Sequence, residues 1–382
     1  MKYLKRIFKF LVLLLTFLIL LAYLTDYNYI LKGMRVVYLT GHTTAFIDDH
    51  TYFENDTIIA SSHPQPWPKH KNYNTVEATG NLSEVNKNLG TIAFLIIKND
   101  SIWYEKYAEN YSNNSQTNSF SMAKSITSAL LGKAIKDGYI KSLDEPVAHY
   151  YPKFADSKMT VGDLSSMASG LNWEESYKSP FSITARSYYD DDLAETMLTL
   201  DVTETPGKEF KYLSGNTQLL AMVIEKATNK KLANYLSESF WEPMGFENPA
   251  LWQVDDEENR LVKAYCCLAS NARDFARFGK LYKDNGNWNN KQLLDSTFVA
   301  MSIRPRFSES PEYGYGFWLS DFMDKEIFVM RGILGQYVIT IPEDDLIIVR
   351  LGHQRGKRKG KPFTSDFYTY VEEAYKMIDS DS

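Results

Sequence analysis

Short hydrophobic runs bounded by turn residues lie toward both ends of the chain and predict β-strands. Residues 91–97 and 102–104 are two such runs, and the Asn-Asp pair at 99–100 between them predicts a β-hairpin. Near the other end, strands are predicted at 317–319, 327–330, 337–340 and 346–349, with a turn at 342–345. Strands at both ends predict one antiparallel sheet in which the two ends pair.

Between these strands the hydrophobic spacing becomes helical. Helices are predicted after Ser121, within 160–170, across 216–240, over 273–282 and, at the end of the chain, over 367–378. Thr160 and Asp163 form a capping box, and Gly138 and Gly170 are expected to end the first two helices. The fold class is therefore mixed α+β: an antiparallel sheet flanked by N- and C-terminal helices, plus a mostly helical lobe.

The N-terminus carries four cations, Lys2, Lys5, Arg6 and Lys9, before the apolar run 10–24. Such a run predicts a membrane helix with the N-terminus in the cytoplasm and the bulk of the chain outside it. Bulky residues after the run favour an uncleaved signal anchor over residues 1–26; the alternative is secretion after signal cleavage. Residues 27–75 are predicted to be an extension and linker, since residues 62–68 contain three prolines, and the domain spans 76–382.

Composition narrows the classes of partner and chemistry. The 382 residues are 44% hydrophobic with a formal charge of −6 and no basic stripe, so no nucleic acid partner is expected. The histidines lack metal-ligand spacing, and the sequence predicts neither a metal nor another cofactor. Cys266 and Cys267 are adjacent; since neighbouring cysteines rarely bridge, they are expected to be small buried hydrophobes.

Candidate chemistry begins with Ser121 and Lys124, three residues apart at the head of a predicted helix. Residues at i and i+3 share a helix face, so the lysine amine can lie beside the serine oxygen and take its proton. The alternative is a structural role, in which the serine caps the helix and the lysine is exposed to solvent. Two further stretches favour the catalytic interpretation: Tyr212 with a second hydroxyl at Ser214, and a glycine-flanked strand entrance at 330–336, whose N–H groups can point at an oxyanion.

With these three stretches in order, the chain resembles the serine β-lactamase and penicillin-binding-protein superfamily over about residues 76 to 380. It is most similar to the class C-like branch that includes 6-aminohexanoate-dimer hydrolases and esterases. The resemblance implies a β-lactamase/transpeptidase-like fold. It also implies a role for each matching residue: Ser121 is the acylated nucleophile, Lys124 the general base, and Tyr212 the proton shuttle to the leaving group.

The resemblance also implies binding residues. The backbone N–H groups of Ser121 and Ile333, which follows Gly332, match the oxyanion hole, and Ser214 takes the third position of the tyrosine motif. Tyr177 resembles a substrate-contacting tyrosine of the dimer hydrolases; the alternative is an aromatic side chain packed on the helical lobe.

Two departures from the family pattern bear on the substrate. Ser214 replaces the asparagine of true class C β-lactamases, and a Met-Arg-Gly sequence at 330–332 replaces Lys-Thr-Gly. Arg331 could bind a substrate carboxylate bidentately, or form a salt bridge at the sheet edge. Both departures favour an amide or ester over a β-lactam.

The sequence thus predicts a serine hydrolase that acts through an acyl-enzyme on a small-molecule or peptide-like amide or ester. The alternative is a non-catalytic or slowly acylating cell-wall-binding or sensor protein of the penicillin-binding type. Intact Ser121, Lys124 and Tyr212 favour the enzyme, because a binding module does not need all three.

Overall fold

A six-stranded antiparallel sheet forms the centre of the protein, which a computed structural model describes over residues 1–380. Its strand order is β3-β2-β12-β11-β10-β9, so the predicted pairing of the two ends is confirmed. The strands are β1 Asn55–Ile58, β2 Thr91–Lys98, β3 Ser101–Tyr107, β4 Thr117–Asn118, β5 Ala250–Gln253, β6 Leu268–Ser270, β7 Asn287–Trp288, β8 Lys291–Gln292, β9 Trp318–Ser320, β10 Ile327–Arg331, β11 Tyr337–Ile341 and β12 Leu346–Gly352.

Helices cover both faces of this sheet and build the lobe beside it. They are α1 Lys2–Leu24, α2 Tyr29–Val36, α3 Gly80–Asn88, α4 Met122–Lys136, α5 Val161–Ser165, α6 Ile183–Tyr189, α7 Leu193–Leu198, α8 Ser214–Thr228, α9 Leu232–Leu236, α10 Ala272–Lys283, α11 Ser296–Ser302 and α12 Ser365–Ser380. The α+β fold is therefore confirmed, including the predicted hairpin β2–β3 and the closing helix α12.

Alternate residues of β2 pack into two different cores. Leu95 and Ile97 lie in the core that contains α4 and α10, whereas Phe94 and Ile96 lie in the core with α12. Because successive side chains of a strand point to opposite faces, a strand covered on both sides is apolar throughout. This explains the unbroken hydrophobic run at the start of the domain.

The helical lobe differs from the sequence expectation at two helix ends. Asn229 adopts a left-handed conformation (φ 53°) and divides the predicted 216–240 segment into α8 and α9. The Thr160–Asp163 capping box is present, but α5 ends at Ser165 rather than at Gly170. Residues 167–170 leave the helix because their carbonyls accept hydrogen bonds from the loop that leads to Tyr212, including Lys211 N–H to the Met167 carbonyl at 2.7 Å.

The segment 27–75, expected to be an extension and linker, packs along the domain. Strand β1 joins a second antiparallel sheet of order β1-β5-β6-β4, and Ile47, Ile58 and Trp67 are buried in the main core. The proline-rich stretch is extended, yet it is held by Gln65 N–H donating to the Gly245 carbonyl at 2.9 Å. The extension is therefore folded against the domain that follows it.

Helix α1 is long and apolar enough to cross a membrane, and none of its residues is buried by the rest of the protein. It leads through Asp26, whose carboxylate pairs with Arg186 of α6, into α2.

The expectation for the two cysteines is wrong in one respect. Cys266 and Cys267 are buried as predicted, but they are joined to each other in a disulfide. Cys267 adopts a positive φ of 73°, a conformation that sequence spacing does not reveal.

Candidate active site

Ser121 immediately precedes α4, at the point where the chain turns sharply out of β4. Phe120, directly before it, has a φ of 46°, which is costly for a residue with a bulky side chain. The Asn118 side chain holds this turn, since its oxygen accepts from Phe120 N–H at 2.8 Å. The turn presents the Ser121 side chain to a cavity while the first turn of α4 stays buried.

Lys124 lies beneath Ser121 and is almost completely buried, at 2% exposure. Its amine donates to Ser121 Oγ at 3.0 Å, to Ser214 Oγ at 3.1 Å and to the Tyr265 carbonyl at 2.8 Å. These three contacts fix the amine on the face of the helix that carries the serine, as the i, i+3 spacing predicts.

Burial lowers the pKa of Lys124 from 10.5 to about 8, because removal from water disfavours the ammonium form. The negative charge of Glu175 opposes this effect. A pKa near the working pH is what a general base requires, since the amine must be neutral before it takes a proton.

Glu175 is a site residue that the sequence did not single out. Its carboxylate accepts from Ser214 N–H at 2.6 Å and from Ser214 Oγ at 2.7 Å, and Trp173 Nε1 donates to it at 2.8 Å. The carboxylate thus lies at the N-terminus of α8, where the helix dipole favours negative charge. Ser214 therefore links Lys124 to a carboxylate.

Tyr212 packs beside the same pair, with its ring centroid 5.2 Å from the Lys124 amine and 5.2 Å from the Trp318 ring. Burial raises the pKa of the Tyr212 hydroxyl, while its hydrogen bond with Ser121 lowers it to a smaller extent. The phenol is consequently protonated at neutral pH and suited to donate a proton.

The turn after β10 lines the same cavity as Ser121, through Ile333 and Leu334. Gly332 N–H donates to the Gln336 carbonyl at 2.8 Å, and Leu334 N–H donates to the Gln336 side chain at 3.0 Å. Within residues 1–380, no hydrogen bond is made by the N–H of Ile333 or by that of Ser121. A Cβ at Gly332 would lie 2.6 Å from the Ser119 carbonyl, so only glycine permits this approach.

Tyr177 and Arg331 have different surroundings. Tyr177 is 54% exposed, lines the cavity beside Ser121 and donates its hydroxyl to Glu175. Arg331 stacks on Trp318, 4.6 Å from its ring centroid, and donates to the Pro362 carbonyl at 3.0 Å. No carboxylate among the described residues forms a salt bridge with Arg331, so the structure does not contain the sheet-edge salt bridge that the sequence left open.

The cavity at Ser121 has a volume of about 450 Å³ and is also lined by Ser214, Ile333 and Tyr177. A larger groove of about 760 Å³ lies between residues 303–328 and 361–368 and contains none of the candidate site residues. The cavity of about 450 Å³ is therefore the candidate active site, because Ser121 lines it. Within residues 1–380, no group of acidic, histidine or cysteine side chains could hold a metal ion.

The structure combines an antiparallel sheet and a helical lobe with a serine–lysine pair at the start of a buried helix. This combination defines the class of protein to which the chain belongs. The family described as Beta-lactamase matches residues 78–367, well over half of the chain, and the chain belongs to the β-lactamase family.

Individual relatives agree with this assignment. The 6-aminohexanoate-dimer hydrolase of Paenarthrobacter ureafaciens is 26% identical over 285 residues, which are 68% of this chain and 72% of the relative. The D-aminopeptidase of Brucella anthropi is 30% identical over 133 residues, only 34% of this chain and 25% of the relative. A Bacillus anthracis structure provisionally named as a 6-aminohexanoate-dimer hydrolase superposes with a TM-score of 0.70 at 20% identity, covering 85% of this chain and 90% of that one.

Proposed function

We propose that this member of the β-lactamase family is a serine hydrolase that cleaves an amide or ester through an acyl-enzyme on Ser121. The observation that carries the proposal is the 3.0 Å contact between the Lys124 amine and Ser121 Oγ, made by an amine whose pKa is lowered to about 8. Relatives named as a dimer hydrolase and a D-aminopeptidase support an amide substrate.

In the proposed acylation step, neutral Lys124 takes the hydroxyl proton as Ser121 Oγ bonds to the substrate carbonyl carbon. The N–H groups of Ser121 and Ile333 stabilise the resulting oxyanion. The tetrahedral intermediate then collapses as the Tyr212 hydroxyl donates its proton to the leaving amine or alkoxide, and Lys124 restores that proton. Water attacks the acyl-enzyme by the same proton route and releases the acid.

The test combines turnover with covalent labelling. Full-length protein is incubated with p-nitrophenyl esters, short amides, muropeptides and nitrocefin, and is labelled with a fluorophosphonate. Ser121→Ala should lose both turnover and labelling, whereas Ser128→Ala, a buried serine on the same helix, should keep both. Full labelling of Ser121→Ala would overturn the proposal, and a burst of acyl-enzyme without turnover would favour a sensor.

Within that panel, we expect esters or amides to be turned over faster than nitrocefin. Ser214 stands where class C β-lactamases have asparagine, and its hydroxyl is engaged by both Lys124 and Glu175. Nitrocefin turnover that matches the best ester would contradict this part of the proposal.

We also propose that α1 anchors the enzyme in the cell membrane as a single pass, with residues 76–382 as an extracytoplasmic catalytic domain. The support is a long apolar helix in which no residue is buried by the rest of the described protein and whose N-terminal part carries four cations. Mass spectrometry should find the intact N-terminus in the membrane fraction. A mature N-terminus near residues 25–30 in the soluble fraction would favour secretion after cleavage.

A further inference from the structure

A second, smaller cavity of about 150 Å³ adjoins the cavity at Ser121. Five residues line both of them: Thr44, Tyr177, Ser179, Ala185 and Tyr189. We call this smaller cavity the side chamber. A substrate bound at Ser121 therefore has a neighbouring space into which part of it can extend.

The rest of the side chamber is built largely by the segment that follows the membrane helix. Ile30, Gly33 and Met34 of α2 line it, together with Val37 and Tyr38. Of the described residues that line the chamber, only Lys178 carries a charge. The lining also includes four tyrosines and the hydroxyls of Thr43, Thr44 and Ser179. The aliphatic side chains and tyrosine rings give the chamber apolar surface that can hold hydrocarbon, since binding there removes this surface from water.

Three exposed apolar side chains belong to residues that line the side chamber or directly follow one that does. Leu39 is 80% exposed, Phe181 67% and Tyr38 65%, and the Phe181 ring contacts Tyr27 at a centroid distance of 5.8 Å. We call Tyr38, Leu39 and Phe181 the rim. Tyr27, three residues after the end of α1, connects the rim to that helix through its contact with Phe181, and exposed apolar groups beside a membrane helix mark a surface that meets the bilayer.

We propose that the side chamber holds the apolar tail of the substrate, and that this substrate is an amphiphilic ester or amide whose tail enters from the membrane across the rim. The inference rests on the proposed function of Ser121 and adds the class of substrate. An apolar tail places the scissile bond in the larger cavity while the polar part stays toward solvent. It also gives the extension a role, because the extension supplies a wall of the chamber.

The first test measures chain-length selectivity in two series of aryl esters, with the alkyl chain on the acyl side or on the alcohol side, each below its micelle concentration. Each methylene that leaves water is worth up to about fourfold in binding, so kcat/KM should rise by roughly tenfold or more from the two-carbon to the eight-carbon alkyl chain in one series. Equal or lower kcat/KM for the eight-carbon chain in both series would overturn the tail site.

Thr44→Trp fills the junction of the two cavities. It should abolish the rise of kcat/KM with chain length, measured as the ratio of kcat/KM for the eight-carbon chain to that for the two-carbon chain in the series that shows the rise. The matched control is Thr51→Trp, an exposed threonine of the same extension that lines neither cavity; it should keep the wild-type ratio. A Thr44→Trp enzyme that retains the wild-type ratio would contradict the side chamber as the tail site.

The second test addresses entry from the membrane. Full-length enzyme is placed in phosphatidylcholine vesicles that also contain a long-chain ester. Leu39→Asp should lower turnover of this embedded ester more than turnover of soluble octanoyl ester, and Ile59→Asp, which replaces an apolar residue 71% exposed outside the rim, should not. Equal behaviour of the two variants would overturn entry across the rim.

These outcomes are separable from failure of the proposed function. If no ester or amide is cleaved in a Ser121-dependent manner, the catalytic assignment itself fails. If acetyl esters are cleaved in a Ser121-dependent manner without chain-length selectivity, the catalytic assignment survives and the tail site is wrong.

Discussion

Two buried lysines with lowered pKa values lie in different regions of this protein. Lys124 is held by two hydroxyls and a carbonyl at the candidate active site. Lys263 is fully buried, and its amine has no hydrogen-bond partner among the described residues; it lies 3.8 Å from the centroid of the Phe53 ring and 5.3 Å from that of Tyr188. Burial lowers the pKa to about 8 for Lys124 and about 7 for Lys263.

The comparison shows that a lowered pKa does not by itself identify a base. Desolvation is the main cause at both sites, and the lysine with the larger shift is the one without a nucleophile beside it. The difference lies in the contacts, since only Lys124 has a serine hydroxyl within hydrogen-bond distance and an open cavity above it. Lys263 instead packs where the N-terminal extension meets the active-site wall, which indicates a structural role.

The largest expected difference between the two lysines is in turnover. Lys124→Arg should lose roughly 10⁴-fold in kcat, at the upper end of what a general base contributes, because a guanidinium keeps the charge but cannot accept the serine proton. Lys263→Met should stay within about twofold of the wild-type kcat, since Lys263 is buried and does not line the cavity at Ser121. Steady-state kinetics on the best ester checks both, and a near wild-type kcat for Lys124→Arg would rule out Lys124 as the base.

The next largest effect is on stability, and substitution of Lys263 should change the free energy of unfolding more than substitution of Lys124. A pKa lowered from 10.5 to about 7 means that folding at acidic pH costs roughly 5 kcal/mol, at 1.36 kcal/mol per unit. Lys263→Met should therefore raise the free energy of unfolding by up to roughly that amount below pH 7. Lys124→Met should gain less, roughly 3 kcal/mol, because its shift is smaller.

The sign of the pH dependence provides the control. The unfolded lysine binds a proton that the folded one has lost between pH 7 and 10.5, so wild-type stability should rise across that window and the advantage of Lys263→Met should shrink. Asp49, Asp255 and Asp191 raise the pKa of Lys263 and Lys32 lowers it. Urea unfolding from pH 6 to pH 10 measures the difference; a Lys263→Met protein less stable than wild type at pH 6 would show that the amine compensates those carboxylates.

The elements that were predicted correctly are those with long periodic patterns. The hairpin β2–β3, the helix that follows Ser121 and the closing helix each extend over many residues, and their apolar faces are readable from spacing alone. The second sheet was missed because its strands are two to four residues long, as in β4 and β6, too short for any period. Its partner β1 lies in a segment whose prolines indicated a linker.

The residues of the candidate site likewise divide into those that a sequence motif predicts and those that no motif predicts. Ser121, Lys124 and Tyr212 belong to spaced motifs, and the structure brings them together. Glu175 and the Tyr265 carbonyl carry no such signal, because a backbone carbonyl is identical in every residue and a carboxylate in a loop is usually solvated. Glu175 lies in the Glu-Glu-Ser-Tyr run at 174–177, where the family resemblance points to the tyrosine and not to the carboxylate.

Tyr212→Phe should cost roughly 10²- to 10⁴-fold in kcat, the usual contribution of a group that transfers a proton in the transition state. The ring remains, so packing against Trp318 is kept while the hydroxyl near Ser121 is lost. The matched control is Tyr282→Phe, which changes a buried tyrosine of α10 that does not line the cavity; its kcat should be near wild type. If esters with good leaving groups lose as much rate as amides, Tyr212 does more than protonate the leaving group.

The smallest expected effect distinguishes the surroundings of the two lysines most sharply. Glu175 raises the pKa of Lys124 against desolvation, whereas the carboxylates around Lys263 act on an amine without a catalytic partner. Glu175→Gln removes that negative charge, so the pKa of Lys124 should fall and the ascending limb of kcat/KM, near pH 8 in the wild type, should move to lower pH.

Glu175→Gln also weakens the hydrogen bonding to Ser214, since a glutamine side chain offers one acceptor oxygen where the carboxylate offers two. A loss in kcat of roughly tenfold is expected from a weakened charged hydrogen bond. Glu174→Gln, which removes a charge from the exposed neighbour, should leave the limb in place. If the ascending limb stays in place or moves to higher pH in Glu175→Gln, Glu175 positions Ser214 without setting the proton affinity of Lys124. The comparison of the two lysines would then depend on their contacts alone.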